Sequence, residues 1–115
     1  GRIRTGRSGE HYVCYLIEQS GLEAVRVDGT TDLHITLRSG RVISVEVKTC
    51  TNAKNGSYNF HRGRSSADVF AFVTLGEATL VRLFPEESAP KWTLPASEFT
   101  KGRQQQDLDW IVSLQ

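Results

Sequence analysis

Glu46 and Lys48 stand two residues apart in a run that alternates apolar and polar side chains, VISVEVK at 42–48. Alternation at period two is strand periodicity. It puts Val42, Ser44, Glu46 and Lys48 on one face and Ile43, Val45 and Val47 on the other. The run DLHITL at 32–37 alternates in the same way, with Asp32, His34 and Thr36 on its polar face. Between the runs, Arg38-Ser39-Gly40 fits a three-residue hairpin loop with glycine in the left-handed third position. That loop pairs Leu37 with Arg41, Thr36 with Val42 and Asp32 with Glu46. Two carboxylates then face each other, their Cβ atoms about 5 Å apart, and like charges so placed are destabilising unless a cation intervenes. Carboxylate oxygens suit Mg²⁺, with Mn²⁺ as its substitute, and the Val47 carbonyl at the strand end can reach the same ion. Phosphodiester hydrolysis needs an activated water and neutralised phosphate charge, and a divalent ion supplies both. Lys48, on the same face, adds a second positive charge and helps position or deprotonate the water.

Such a hairpin needs a framework. With 115 residues, 38% hydrophobic and 23% charged, the chain reads as one folded domain over residues 1–115. No apolar run is long enough to span a membrane. Arg2, Arg4 and Arg7 precede no apolar stretch, so no signal peptide is read. Cys14 and Cys50 form no CxxC pair; one disulfide is open to them, but free thiols of a reducing, cytoplasmic compartment are the preferred reading. Residues 1–8 read as loose, and a helix follows from about Ser8 or Gly9 to Ser20, its stripe made by Val13, Leu16 and Ile17. Glu10 falls on the inward side of that helix. A short strand at Ala24–Val27 and a turn at Asp28–Thr31 lead into the hairpin. Residues 49–66, TCTNAKNGSYNFHRGRSS, read as a polar irregular segment. VFAFVTL at 69–75 and TLVRLF at 79–84 read as a buried strand and its antiparallel partner. Prolines 85, 90 and 95 interrupt the chain, and a final helix runs from about Gly102 to Gln115 with Leu108, Ile111 and Val112 on one face. This order gives an α/β or α+β sheet with helices against it.

Charge is unevenly placed. Residues 1–64 hold 10 basic and 6 acidic residues, and residues 65–115 hold 4 basic and 7 acidic. A polyanion would therefore be met by the first half. Lys54, Arg62 and Arg64 lie in the polar segment beside Asn55, Ser57 and Asn59, a composition suited to DNA phosphates. Tyr58 and Phe60 either stack on bases or anchor the segment. Arg7, with Arg2 and Arg4, belongs to a basic arm. Cysteine or serine nucleophile chemistry and phosphate loops find no matching pattern.

Glu10, Asp32 and Glu46-Val47-Lys48 resemble the signature of the PD-(D/E)xK nuclease superfamily. There, an acid on the first helix precedes an aspartate opening the second strand and a (D/E)-x-K on the third. Thr31 stands where the name-giving proline would be. GEHYVCYLIEQSGLEAVRVDGTTD is similar to the start of archaeal-type Holliday junction resolvases. SYNF, HRGR, DVFAFVTL and TLVRLFP are similar to small prokaryotic or phage endonucleases of the homing type. The resemblance implies a restriction-endonuclease-like mixed sheet flanked by helices and Mg²⁺-dependent cleavage of double-stranded or branched DNA. In it Glu10, Asp32, Glu46 and Lys48 are catalytic, and Asp32, Glu46 and the Val47 carbonyl are metal ligands. It further implies a homodimer or homotetramer, to which the last helix's apolar stripe would contribute. A non-catalytic DNA-binding or structural subunit of the same fold is the competing expectation.

Overall fold

The computed structural model describes residues 2–29, 31–60, 66–76 and 78–115, with side chains from Arg7 onward. His61, Arg62 and Arg64 lie outside the described residues. The elements run α1 (Arg2–Gln19), β1 (Glu23–Arg26), β2 (Leu33–Thr36), β3 (Val42–Cys50), β4 (Ser57–Asn59), β5 (Val69–Leu75), β6 (Thr79–Pro85), β7 (Thr93–Pro95) and α2 (Lys101–Ser113). Short 3-10 turns at Glu86–Ser88 and Ala96–Glu98 flank β7.

Five strands form one sheet in the order β1-β2-β3-β5-β6, and β4 pairs with β7 in a separate two-stranded ribbon. β3 and β5 are parallel and the other pairs antiparallel, so the sheet is mixed. One face is covered by both helices. Val13 and Ile17 of α1 and Leu108 and Ile111 of α2 are buried there with Leu33, Ile35, Ile43, Val45, Val69, Ala71, Val73, Val81 and Leu83. The alternation read in β2 and β3 is the cause, since Leu33, Ile35, Ile43, Val45 and Val47 point to the helices, while Val42 lies exposed at the start of β3. β5 is buried throughout, because its other face carries Phe70 and Phe72 into a second core with Phe60, Leu94 and Phe99. The architecture is a restriction-endonuclease-like α+β fold.

Three expectations change. α1 begins at Arg2 rather than near Ser8. Arginine is a good helix former, and its favourable propensity carries the helix through Gly6 and Gly9. The segment at 49–66 is not uniformly irregular: β3 continues to Cys50, and Phe60, at 3% exposure, is one of the most buried aromatics. Its alternation with Tyr58 lets β4 lay an apolar face on β5. Finally, the stripe of α2 is used within the chain, since Leu108 and Ile111 are buried against its own sheet. It therefore gives no support to self-association.

α2 also closes a sheet edge. Among the described residues β6 has no strand on its outer side, and an open edge exposes unpaired amides. The Val81 and Leu83 N–H groups donate to Gln104 Oε1 at 2.9 Å and Asp107 Oδ2 at 2.8 Å. Arg82 binds Asp107 Oδ2 through Nε at 2.7 Å and also binds Glu98. Burial alone would lower the basicity of Arg82, but the hydrogen bonds and charges of Asp107 and Glu98 outweigh it and raise the guanidinium further. Thr100 caps α2, its Oγ1 accepting from Arg103 N–H at 3.1 Å.

Candidate active site

The hairpin register follows from its loop. Gly40 sits at φ +91°, and Leu37 N–H donates to Arg41 O at 2.8 Å. Thr36 therefore faces Val42 and Leu33 faces Val45, the register the sequence predicts. Beyond Leu33 the ladder departs from regularity. Asp32 N–H turns to the Val45 carbonyl at 3.0 Å, the acceptor level of the preceding residue pair. Its side chain then takes over the ladder's role, Oδ2 accepting from Val47 N–H at 2.8 Å. The Asp32 carboxylate is thus fixed to the backbone amide between Glu46 and Lys48. The carbonyl of a strand residue points to the same side as its N–H, so the Val47 carbonyl is aimed toward Asp32, beyond the end of β2.

The Glu46 side chain is only 12% exposed, with Lys48 Nζ at 3.9 Å from its Oε2. Ordinary solvated sheet surface does not bury a glutamate so far, because the charge must find partners. Its neighbours across β5 are Phe70 beside Glu46 and Phe72 beside Lys48, both buried. The acid and the lysine therefore lie at the border between the open half of the sheet face and the aromatic core on its other half. His34 faces Ser44 on the same half.

Glu10, on α1, is ion-paired. Its Oε1 accepts from Arg26 Nε at 2.9 Å. Glu10 and Asp32 line one cavity of about 330 Å³, with Arg7, Arg26 and Asp28. Among the described residues no group of three or more His, Cys, Asp or Glu side chains is placed to hold a metal. Glu10, Asp32 and Glu46 thus form no such cluster, and the Glu10 carboxylate is paired with Arg26. Arg26 is the residue that sequence reading missed. Its signal was present: alternation from buried Ala24 directs Arg26 toward the helix face, an odd place for arginine unless an acid waits there. Asp28, the rival to Asp32, reaches the same cavity, but it is Asp32 that bonds β3.

Lys54, Asn55 and Ser57 belong to one tight turn. Lys54 and Ser57 exchange backbone hydrogen bonds of 2.8 and 3.0 Å, with Asn55 at φ 53° and Gly56 at φ 76°. Positive φ at both central residues is the hairpin turn that Asn-Gly favours, a signal legible at 55–56. Tyr58 is the anchor rather than a free stacking platform. Its ring is half-buried, edge-on to Phe99 with centroids 5.2 Å apart. Cys14 and Cys50 are free thiols; burial, then the charge of Glu18, pushes Cys14 up. Among the described residues no helix is long and apolar enough to cross a membrane.

No family model and no curated protein sequence matches the chain. Its fold is similar to the solved structure of a bacterial homing endonuclease, I-Ssp6803I, with a TM-score of 0.65 at 18% identity, over 78% of this chain and 70% of that one. At that identity the likeness is one of fold.

Proposed function

We propose that the chain is a metal-dependent DNA endonuclease of the PD-(D/E)xK type, hydrolysing phosphodiester bonds of double-stranded or branched DNA. The observation that carries the reading is the bond from Val47 N–H to Asp32 Oδ2 at 2.8 Å, which ties the aspartate between Glu46 and Lys48. The fold likeness to a bacterial homing endonuclease supports it. Asp32, Glu46 and the Val47 carbonyl are hard oxygen donors and fit Mg²⁺, which takes one or two carboxylates and keeps several waters; Mn²⁺ would substitute. When bound, such an ion lowers the pKa of its water and neutralises phosphate charge.

The chain's own residues do the rest. Val47 N–H orients the Asp32 carboxylate and leaves its second oxygen for the site. Lys48 holds its ammonium at the polar half-face, where it meets a phosphate oxygen or the attacking water. Glu10, steadied by Arg26, borders the cavity from the helix side and can hold a water there. Arg7 at that cavity, and Lys54, Asn55 and Ser57 at the turn, meet the DNA backbone, as do Arg62 and Arg64 on the sequence reading. One site per chain cuts one strand, so double-strand cleavage calls for a homodimer or homotetramer.

A non-catalytic DNA-binding subunit is the second reading, favoured by the Glu10–Arg26 and Glu46–Lys48 ion pairs that occupy three of the four polar groups. Cleavage of supercoiled, linear and four-way-junction DNA, with and without Mg²⁺, separates the two. The nuclease reading expects Mg²⁺-dependent nicking that Glu46→Ala abolishes. Nicking at the same rate by that variant, or none by the unaltered protein, overturns it in favour of the binding subunit.

A further inference from the structure

We infer that the β4–β7 ribbon is a base-reading element that enters the DNA major groove next to the scissile phosphate, with Asn59 and Thr93 facing the base edges. The inference rests on the nuclease reading for the position of the phosphate, and on separate observations for the ribbon.

The ribbon has two unlike faces. Tyr58 and Leu94 form a pair on the inner face, and Leu94 is buried in the second core. Asn59 and Thr93 form the next pair, and both are exposed on the outer face. A carboxamide and a hydroxyl are groups that read base edges, the carboxamide matching adenine in two hydrogen bonds. Lys54 and Asn55 lie exposed at the turn, and Lys91 and Trp92 lie exposed at the other end of the ribbon. The described ribbon segments 51–60 and 89–97 carry Lys54 and Lys91 and no acidic residue. That charge fits a polyanion. Trp92, 63% exposed, leaves a large aromatic surface at the ribbon's end.

Position and height decide the partner. Phe60, which follows β4, packs its ring 4.9 Å from Phe72, and Phe72 is the neighbour of Lys48 on the same sheet face. The ribbon therefore stands over β5, directly beside the open half-face that carries Glu46 and Lys48. Packed sheet layers lie about 10 Å apart. The DNA major groove is about 8.5 Å deep and about 12 Å wide, enough to admit a two-stranded ribbon. A ribbon raised by one layer, with its outer face on the groove floor, lets the flanking phosphate backbone come down to the level of Lys48. Contact with the minor groove, about 6 Å wide, gives the ribbon no such entry.

The test uses the full chain and a duplex library of random sequence. Cleaved ends formed in Mg²⁺ are sequenced, and binding is measured separately by guanine N7 methylation interference without Mg²⁺. The unaltered protein should show a base preference within a few positions of the cut and interference at major-groove N7 atoms there. Asn59→Ala combined with Thr93→Val should flatten that preference about tenfold at one or two positions, its melting temperature confirming the fold. An unchanged preference profile in this variant overturns the inference and leaves the nuclease reading standing. Absence of nicking by the unaltered protein, with N7 interference lost in the variant, overturns the nuclease reading and supports the ribbon. Binding without any N7 interference, or no binding at all, overturns the ribbon.

Discussion

Gly9 of α1 offers a test of how the helix is set against the strand that bears the site. A Cβ added there would lie 2.2 Å from Thr49 Cγ2 and 3.5 Å from Val47 Cγ1. Carbon–carbon contacts settle at about 3.5–4.0 Å, so the methyl of Gly9→Ala overlaps Thr49 by more than about 1 Å. Thr49 is β-branched and stiff at χ1, and overfilling a packed contact costs about 1–3 kcal/mol. Alanine returns about 1 kcal/mol of helix propensity. The single substitution should therefore lose about 1 kcal/mol, near 4 °C in melting temperature for a domain of this size. Thr49→Ser deletes the offending methyl. In that background Gly9→Ala should stabilise by about 1 kcal/mol, giving a coupling of about 2 kcal/mol between the two positions. Urea denaturation of the four proteins measures it. A coupling below about 0.5 kcal/mol, the range of independent sites, would show that α1 does not rest on β3 at Thr49.

The remaining expectations are briefer. Lys48→Ala should abolish cleavage while Mn²⁺ titration is nearly unchanged, whereas Glu46→Ala should lose both. Arg82→Ala should cost about 2 kcal/mol in a melting curve, less than the roughly 3–5 kcal/mol of a fully buried broken pair because Glu98 and Asp107 keep some access to water. Cys14 should alkylate slowly, and Glu18→Gln should speed it, since burial first and Glu18 second raise the thiol. The sign for stability follows. A thiol raised on folding ionises first in the unfolded chain, so its contribution is complete below the ordinary cysteine range. It declines as pH rises through that range toward the folded value. Sedimentation at micromolar concentration should give at least twice 12.8 kDa, through a surface other than the apolar stripe of α2, which the chain already buries.

Most of the sheet was legible because its strands carry strict alternation and the Arg38-Ser39-Gly40 loop admits few registers. β5 and β6 were legible as a hairpin, but the parallel pairing of β3 with β5 was not. No local pattern reports which strand lies beside a fully buried one. The ribbon escaped for a related reason. β4 and β7 are three residues each and about 35 residues apart in the chain, too short for periodicity to speak. Only Asn55-Gly56 marked the turn.

At the site, the hairpin register was legible as far as Leu33 and Val45, but the expected Asp32–Glu46 pair does not continue it, and the way each acid's charge is met was not legible. In a flat ladder the pair would repel and call for a cation. The actual backbone turns Asp32 N–H to Val45, and the carboxylate then accepts from Val47 N–H, a donor that no sequence pattern displays. Glu46 has Lys48 Nζ at 3.9 Å. Each acid is thus offset by a protein donor, and removing Glu46 relieves little repulsion. A melting curve of Glu46→Ala without metal should show a loss of about 1 kcal/mol rather than a gain, the ordinary cost of deleting a partly buried, paired side chain. The two donors differ in kind. Val47 N–H is fixed in the backbone and uses one oxygen of Asp32. Lys48 is a flexible point charge that any stronger partner of Glu46 sets free. On the nuclease reading, that difference divides the labour. The amide fixes the aspartate permanently, while the lysine leaves Glu46 for the phosphate once the site is loaded, so Lys48→Ala removes cleavage without removing a ligand.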